Sequence, residues 1–389
     1  MANTLTSLIP DFSEAMDVIS REMVGFIPAV SRDSRLDRVS LNQNVIIPVT
    51  RTPGASATNT PGVNAPDTGD DTIDNVSVTI SKSKHQPIGF NGEETLGLSN
   101  AGTFSSILAN RTYQAIRKLV NEIEQDLWLA AYKASSRAYG TAGTAPFGTA
   151  ANMTDFAGVR RILEENGAPT NDLQLVLGHA AIANLRGLQS GLFKVNEAGS
   201  ADLLRNGMTD RIMGMALRHS DAISTHTKGA ATGSLINNGS TEVVGETTLT
   251  LDTITVNATG ILAGDVVTFA VDSANKYVVN TGLVATSGDI VIGAPGVRVA
   301  LPNDNAMTIG NTYTPNVAFD RGAVVLAARM PAMPQGGDQA ADVTSITDPI
   351  SGLTFEFALY KQFLQNVIHV RLAWGTKCIK PAHVATLIG

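Results

Sequence analysis

The sequence predicts an α+β fold that is organised around one long helix and interrupted by an all-β segment. Between Thr103 and Ala138, apolar residues recur at spacings of three and four, which is the period of a helix with one apolar face. Residues 229–315 instead contain short apolar runs separated by turn residues roughly every eight to twelve positions. Elsewhere helical and strand patterns alternate, so we expect helices and sheets to share the remaining cores.

The long helix is predicted to run from Thr103 to Ala138, roughly 54 Å at 1.5 Å per residue. Thr103 is a suitable N-cap, and Tyr139-Gly140 followed by small residues ends the pattern. The apolar stripe that forms its predicted core contains Phe104, Ile107, Leu108, Ile116, Leu119, Val120, Ile123, Leu127 and Ala131. The charged residues expected mostly off this stripe, facing water or other chains, are Arg111, Arg117, Lys118, Glu124, Asp126, Lys133 and Arg137.

The first 40 residues are predicted to form a polar arm and a short amphipathic helix. Pro10 suits the first helical position, and one face of the helix carries Phe12, Met16, Ile19 and Met23. Its first turns carry Asp11, Glu14 and Asp17. The helix dipole favours acidic residues there, so ordinary capping electrostatics is the first interpretation. The second interpretation is that these acidic residues bind a basic partner.

Residues 41–90 are predicted to form a long β-hairpin. Val45–Val49 is a β-rich run, and Val76–Ile80 alternates between apolar and polar residues. The connection between them, Thr50–Asp74, is made of small and polar residues, and such a long stretch without structure of its own is either disordered or functional, because compact domains rarely contain one. We therefore expect a neighbouring subunit to support this hairpin. The candidate contact residues of the loop are Pro53, Pro61, Val63, Pro66 and Ile73.

After the long helix, residues 141–228 are predicted to form an α/β region. A helix should open at Asn152 or Thr154 and end before Gly167, followed by a strand, Leu173–Leu177, and a second helix, His179–Leu188. The all-β insertion follows, and its predicted strands are Leu249–Val256, Asp265–Val271, Lys276–Val279, Asp289–Ile292 and Val297–Ala300. The last part of the chain returns to alternating strands whose apolar residues are Leu353, Phe355, Phe357, Leu359, Ile368, Val370, Leu372 and Trp374.

Composition excludes several classes of protein. With 389 residues and 43 % hydrophobic content, the chain can bury large cores in two or three domains. A net charge of −7 without a basic run argues against nucleic-acid binding by charge. One cysteine, Cys378, rules out a disulfide framework and fits a reducing compartment. Without a basic leader or an apolar run approaching about 18 residues, we expect a soluble protein made inside the cell, with no membrane partner.

Motifs for catalysis or metal binding are not found in the sequence. The six histidines show no HExxH or similar spacing, and there is no GxSxG, phosphate loop or GxGxxG. Cys378 is interpreted as a small hydrophobe in a terminal strand, and His369, beside Arg371, as a surface histidine. We therefore predict no enzyme activity, no catalytic residue, no metal and no cofactor.

The order of these elements resembles that of a known family. An N-terminal arm, a long hairpin, one long helix, an α/β region and C-terminal strands ending in Trp374–Pro381 are similar to the major capsid protein of tailed bacteriophages, the Hong Kong 97-type fold. The insertion, with its run Leu262–Phe269, resembles the coat-protein branch typified by the Salmonella podovirus, which carries an extra β-barrel domain. By this resemblance the domains are the N-terminal arm (1–40), the E-loop hairpin (41–90), the peripheral domain with its spine helix (91–140), the axial domain (141–228), the inserted β-barrel-like domain (229–315), and strands returning to the axial and peripheral domains (316–389).

The resemblance implies a function and a set of partners. Identical chains would form hexamers and pentamers of an icosahedral shell, first a procapsid and then a mature head, around the double-stranded DNA of a tailed phage. A scaffolding protein, a portal protein and packaged DNA, contacted non-specifically at the inner wall, are the implied partners. The implied location is the virion, after assembly in the host bacterial cytoplasm. The N-terminal residues Asp11, Phe12, Glu14, Met16 and Asp17 would contact the scaffold or a neighbouring subunit.

Some capsids of this fold are cross-linked by a bond between lysine and asparagine, which needs a lysine at the tip of the E-loop. No lysine occurs from Thr50 to Asp74, and Lys82 and Lys84 are predicted on the returning strand, so we expect a non-covalent shell. Two other classes remain open at this point. An encapsulin-like bacterial nanocompartment shell shares the fold, while a secreted β-rich adhesin predicts a signal peptide that the sequence lacks.

Overall fold

The structure is a computed structural model that describes residues 24–49 except 34 and 36, residues 58 and 61, and residues 74–150, 152–188, 211–255 except 237, 238 and 240, 259–348 and 352–389. Its α-helices within these ranges are α1 (Gly92–Asn100), α2 (Phe104–Lys133), α3 (Thr154–Glu165) and α4 (His179–Leu188). The first ten strands are β1 (Ser31–Arg32), β2 (Asn44–Val49), β3 (Asp74–Thr79), β4 (Lys82–Asn91), β5 (Arg137–Gly140), β6 (Leu173–Leu177), β7 (Arg211–Ile212), β8 (Met215–His219), β9 (Leu235–Ile236) and β10 (Thr248–Asp252). The other strands are β11 (Val266–Phe269), β12 (Asp272–Thr281), β13 (Gly288–Ile292), β14 (Met307–Ile309), β15 (Pro315–Asp320), β16 (Val324–Arg329), β17 (Asp342–Thr347), β18 (Thr354–Gln362), β19 (Gln365–Cys378) and β20 (Val384–Ile388).

These strands form two large sheets and one ribbon. The six-stranded sheet has the order β1-β16-β19-β18-β17, and β4 also pairs with β19. The twelve-stranded sheet has the order β7-β8-β6-β15-β20-β5-β12-β13-β10-β9, with β11 and β14 attached through β12. The ribbon consists of β2 and β3 alone. Within the described ranges, four α-helices and large mixed sheets make an architecture of the α+β class.

Helix α2 is shorter than the sequence predicts. It begins at Phe104 and ends at Lys133, so its 30 residues extend about 45 Å. The prediction that it continues to Ala138 is wrong, because Arg137–Gly140 forms β5, which pairs parallel with β20 and antiparallel with β12. Thr103 precedes the helix as predicted but makes no side-chain capping bond. Backbone partners on both edges of β5 therefore end the helix before its sequence pattern ends.

The apolar stripe of α2 packs against a core cluster that contains side chains from both large sheets. Seven residues of the stripe are almost completely buried in this cluster: Leu108, Ile116, Leu119, Val120, Ile123, Leu127 and Ala131. Phe104 and Ile107, near the start of the helix, are half-buried and pack against the edge of the same cluster. Phe104 meets Phe90 of β4 edge to face, with ring centroids 5.3 Å apart. The helix is thereby attached to β4 at its start and to both sheets along its length.

The α/β region packs around a second core. Strand β6 is buried along its whole length between β8, with which it is parallel, and β15, with which it is antiparallel. Helix α4 follows β6 directly, and both elements have the predicted bounds. Helix α3 ends just before Gly167, whose φ of +73° is the left-handed conformation that favours glycine after a helix.

The inserted segment has its own apolar core, formed by residues between Ala231 and Met307. The predicted strand Val297–Ala300 is wrong: these residues form an irregular segment with a bend, although Val297 itself is buried in this core. The tight turn at Gly296, with φ +87°, directs the chain away from β13, and the Val297 N–H donates to the carbonyl of Glu246 instead. Two short strands that the sequence did not predict, β9 and β14, complete this part.

The insertion is joined to the rest of the chain by a shared strand pair. Strand β12 pairs with β5, with Lys276 opposite Ala138 and Tyr277 opposite Arg137. The insertion therefore continues the twelve-stranded sheet and does not form a sheet of its own. A small apolar cluster at this junction contains Ala138, Val266, Val278, Tyr313 and Ile388.

The packing of α2 gives a first prediction. Replacing Ile123, which has no exposed surface, by Asp would bury a carboxylate without a partner and cost several kcal/mol. We expect the variant to be lost from the soluble fraction on expression. The matched control is Gln114→Asp, which places the same group on the exposed face of the helix and should stay soluble. Equal solubility of the two variants would contradict the assignment of the buried stripe.

Candidate functional site

Glu124 connects α2 to the first described residues of the chain. Its Oε2 accepts hydrogen bonds from the N–H groups of Gly25 and Phe26 at 3.3 and 3.0 Å, and its Oε1 accepts one from Ile27 at 2.6 Å. The hydroxyl of Ser220 donates to Oε2 at 2.8 Å. Phe26 and Ile27 are fully buried, so the carboxylate satisfies backbone donors that water does not reach.

The sequence places Glu124 among the charged residues that face water, and this is wrong, since only 3 % of it is exposed. Burial raises the pKa of Glu124, while its hydrogen bonds to the backbone of residues 25–27 and to Ser220 lower it, and the effect of burial is larger. No local pattern marks this residue, because its partners lie about a hundred positions away.

The acidic residues on another side of α2 bind the lysines of β4. Asp126 accepts from Lys82 Nζ at 2.7 Å, and Glu122 accepts from Lys84 Nζ at 2.5 Å. Side chains four residues apart on a helix and two apart on a strand are both separated by roughly 6–7 Å, so the two pairs match. Asp126 also accepts from the indole N–H of Trp374 at 2.8 Å. The prediction that these lysines lie on the returning strand of the hairpin is wrong, because β3 ends at Thr79 and both belong to β4, which pairs with β19.

The ribbon of β2 and β3 is the described part of the predicted hairpin. Val45 stands opposite Val78, and both are buried in a cluster with Val325, Ala327 and Ala373 of β16 and β19. The base of the ribbon is therefore supported by its own chain, which corrects the expectation that only a neighbouring subunit holds it. Ile46 lies on the opposite side of the ribbon and is 59 % exposed.

Most of the predicted contact residues lie outside the described residues. This holds for the five candidates of the N-terminal arm, which are Asp11, Phe12, Glu14, Met16 and Asp17, and for Pro53, Val63, Pro66 and Ile73 of the loop. Pro61 is described and exposed.

His226 links the start of the insertion to α2. Its Nε2 lies 2.9 Å from Asp265 Oδ1 and its Nδ1 lies 3.2 Å from the hydroxyl of Tyr132. The Asp265 carboxylate also accepts the N–H groups of Gly229 and Leu262. Burial, together with the nearby Asp265, raises the pKa of Tyr132 to about 12, so this hydroxyl remains a donor. The imidazole therefore bridges Tyr132 and Asp265, which joins three separate parts of the chain.

Four of the other histidines lie in pairs, although their sequence spacing suggests that they are isolated. His219 Nε2 lies 2.9 Å from His179 Nδ1, and His179 Nε2 lies 2.7 Å from Asp221 Oδ1, at an exposed edge beside α4. His369 is not a plain surface residue: its ring lies 4.7 Å from that of His85. Burial and the neighbouring histidine lower the pKa values of His219 and His369. Among the described residues, no group of three or more His, Cys, Asp or Glu side chains could hold a metal ion.

Cys378 was interpreted from the sequence as a small hydrophobic residue in a terminal strand, and the structure confirms this in part. Cys378 ends β19 and is partly covered by the large core cluster. Burial raises the pKa of this thiol to about 12, so it stays protonated at neutral pH and does not act as a nucleophile. No helix in the described ranges is long and apolar enough to cross a membrane.

Comparison with known proteins gives matches in structure only. No protein-family model matches the sequence, and no curated protein matches it significantly. A solved structure from Mycobacterium phage Che8 has a TM-score of 0.48 and 14 % identity, over 94 % of this chain and 90 % of that one. The capsid structure of cyanophage P-SCSP1u has a TM-score of 0.47 and 12 % identity, over 92 % and 86 %. A virus-like particle from Pyrococcus furiosus has a TM-score of 0.43 and 8 % identity, over 98 % and 99 %.

The resemblance to phage capsid proteins that the sequence predicts is thus also found among solved structures. Identities of 8–14 % and TM-scores below 0.5 are too low to transfer a function from these structures.

The environment of Glu124 gives a second prediction. Glu124→Gln keeps one acceptor oxygen but points an NH2 group at backbone donors, so we expect the free energy of unfolding to fall by about 1–3 kcal/mol. The control Glu122→Gln removes a more exposed ion pair and should cost less than about 1 kcal/mol. Urea unfolding measures both variants.

The difference in stability between the wild type and Glu124→Gln should depend on pH, and the sign of this dependence follows from the pKa of Glu124. The folded pKa of Glu124 lies above its ordinary value of 4.5, so the folded state binds this proton more tightly than the unfolded chain does. The contribution of this proton to stability is therefore full below 4.5 and is lost as pH rises through the folded pKa. The advantage of the wild type over Glu124→Gln should shrink as the pH is raised above about 4.5. An advantage that grows over this range would contradict the raised pKa.

Proposed function

We propose that this chain is a major capsid protein that assembles into the icosahedral shell around the double-stranded DNA of a tailed phage. The observation that carries the proposal is the order and attachment of the elements. A two-stranded ribbon and β4 lead into a helix of about 45 Å, an α/β region follows, and β18 and β19 return to the sheet on which that helix lies. This order supports the proposal of a Hong Kong 97-type fold.

The domain borders of that fold are part of the proposal. Residues 41–90, which contain the ribbon, its connection and β4, correspond to the E-loop, and residues 91–140 to the peripheral domain with α2 as its spine. Residues 141–228 correspond to the axial domain, 229–315 to the inserted β domain and 316–389 to the returning strands. Support comes from separate apolar cores around α2 and the six-stranded sheet, around α3 and α4, and within the insertion.

The polar clusters of the chain favour a structural role over catalysis. The pair of His226 and Asp265 would suit general-base chemistry, but the two side chains are 7 % and 0 % exposed. A substrate cannot reach them, and each of their polar atoms already serves to connect segments of the chain. The exposed histidines near α4 belong to no nucleophile and base arrangement that the described residues contain.

A non-covalent shell is favoured by the contacts of the lysines next to the ribbon. Lys82 and Lys84 donate to Asp126 and Glu122 of α2, and a charged ammonium group in an ion pair is a poor nucleophile. Hexamers and pentamers would then be held by repeated interfaces. A scaffolding protein, a portal protein and packaged DNA are the proposed partners, the virion is the proposed location, and host cytoplasm is the proposed place of assembly. The N-terminal arm is the proposed scaffold or neighbour contact.

Assembly itself is the third prediction. The full chain, expressed alone or with its scaffolding protein, should form closed shells that negative-stain microscopy resolves. Denaturing electrophoresis should give bands of a single chain, since the ion-paired lysines do not form cross-links. A protein that stays monomeric under all these conditions would overturn the proposal. Shells that enclose a co-expressed enzyme and no DNA would favour an encapsulin-like nanocompartment, and covalent ladders would contradict the non-covalent assignment.

The fourth prediction concerns the connection between β2 and β3. Deleting residues 53–66 removes none of the side chains that form the buried base of the ribbon, so the thermal unfolding of the subunit should stay nearly unchanged. The shell should lose stability, because each deleted loop removes one contact that is repeated across the lattice. Differential scanning calorimetry of subunits and shells separates these effects. Equal stability of mutant and wild-type shells would show that the loop makes no contact between subunits.

A further inference from the structure

The turn between β18 and β19 exposes two large apolar side chains. Phe363 is 91 % exposed and Leu364 is 74 % exposed, at the end of a hairpin in which Gln362 pairs with Gln365. We refer to these two residues as the knob. Single apolar side chains on a surface are common, but two neighbouring ones at the tip of a turn form a protruding patch.

The backbone of the knob makes this choice of residues costly. Leu364 has a φ of +54°, in the left-handed region where a side chain with a Cβ is disfavoured. Turns with a positive φ at this position usually contain Gly or Asn. The sequence therefore accepts a strained turn and an exposed phenyl ring together, which is expected when the side chains contact something outside the subunit.

A groove of matching character lies on the same chain, between β4 and α2. Its volume is about 450 Å³. Ile88, Ile107 and Ala115 supply much of its apolar lining, and Gln114 stands at its exposed side. A cavity of about 150 Å³ is enough for benzene, so the groove has room for a phenyl ring and a leucine side chain. The knob of the same chain does not fill it, because both of its side chains are exposed.

Charges around the two features are complementary. Helix α1 opens with Glu93 and Glu94 directly beside the knob, where the N–H of Gly92 donates to the carbonyl of Leu364 at 2.9 Å. In sequence, Lys361 is the one basic residue within two positions of the knob, against the two acidic residues of α1. The groove is lined by Arg111 and Lys118, and the side chain of Lys118 is 65 % exposed. A knob flanked by acidic residues therefore complements the charge of a groove flanked by basic ones.

We propose that the Phe363–Leu364 knob of one copy of this chain inserts into the groove between β4 and α2 of a second copy. This contact rests on the proposed shell function and adds a defined interface to it. Because knob and groove are different surfaces, the contact is heterologous: each copy gives a knob to one neighbour and receives one from another. Repetition of such a contact closes into a ring when the rotation between copies is one fifth or one sixth of a turn, which is the geometry that a pentamer or hexamer requires.

Disulfide trapping in the full chain tests the contact directly. In the variant Phe363→Cys with Gln114→Cys, oxidised shells or oligomers should give a ladder of covalent multimers on a non-reducing gel, lost on reduction. The matched control is Phe363→Cys with Gln125→Cys, because Gln125 is exposed on the same helix but outside the groove. Cys378 is present in both variants, so its reactions cancel. A ladder in the first variant only supports the contact, whereas equal ladders, no ladder, or a cross-link to a different protein would overturn it.

Two further variants separate the contact from the folding of the turn. Phe363→Ser with Leu364→Gly restores ordinary turn residues, so its Tm should not fall, while shell yield should drop at least about tenfold. Gln114→Trp fills the groove from an exposed position and should cause the same loss, while Gln125→Trp should assemble normally. Normal assembly of both the turn variant and Gln114→Trp would overturn the contact. If the unmodified chain formed oligomers without closed shells, the proposed function would fall, and the disulfide ladder would still report on the contact.

Discussion

The apolar stripe of α2 has to be covered along about 45 Å, and this requirement shapes the rest of the chain. The cluster that covers it draws Phe355, Leu372 and Trp374 from the six-stranded sheet and Phe319 and Val384 from the twelve-stranded sheet. Each sheet in turn buries a face against the helix that it could not leave in water. The two sheets therefore share one core, because the helix is long enough to contact both of them.

Polar groups are buried where the chain crosses this helix, and each has a defined set of partners. Glu124 accepts from three backbone amides and one hydroxyl, Asp126 from a lysine and a tryptophan, and Tyr132 contacts the imidazole of His226. An apolar side chain at position 124 would leave the amides of residues 25–27 without acceptors, which costs more than burying the carboxylate with its partners. These sites fix which segment crosses the helix at which turn, a specificity that apolar packing alone does not provide.

The elements that could be predicted from the sequence are those whose cause is local. The stripe of α2, the fully apolar strand Leu173–Leu177 and the helix that follows it depend on the spacing of neighbouring residues, and the structure has them close to the predicted bounds. The end of α2 could not be predicted, because β5 depends on partners from β12 and β20 more than a hundred residues away. Helix α1 buries no side chain, so its one signal was the capping box of Asn91 and Glu94. The contacts of Glu124 and His226 could not be predicted either, because each joins segments that are distant in the sequence. The same holds for the knob and its groove.

The insertion illustrates how a segment with its own core can still depend on its host. Its core residues all lie between positions 231 and 307, as expected of a separate unit. It is nevertheless attached at two places: the backbone pairing of β12 with β5, and the contact of His226 and Asp265 with Tyr132. Arg137 strengthens the first attachment through Asn275 of the insertion and Glu165 of α3. With two attachments, one to the sheet and one to α2, rotation of the insertion would have to break buried hydrogen bonds at one of them. A force on the insertion is therefore transmitted to the helix and to the twelve-stranded sheet together.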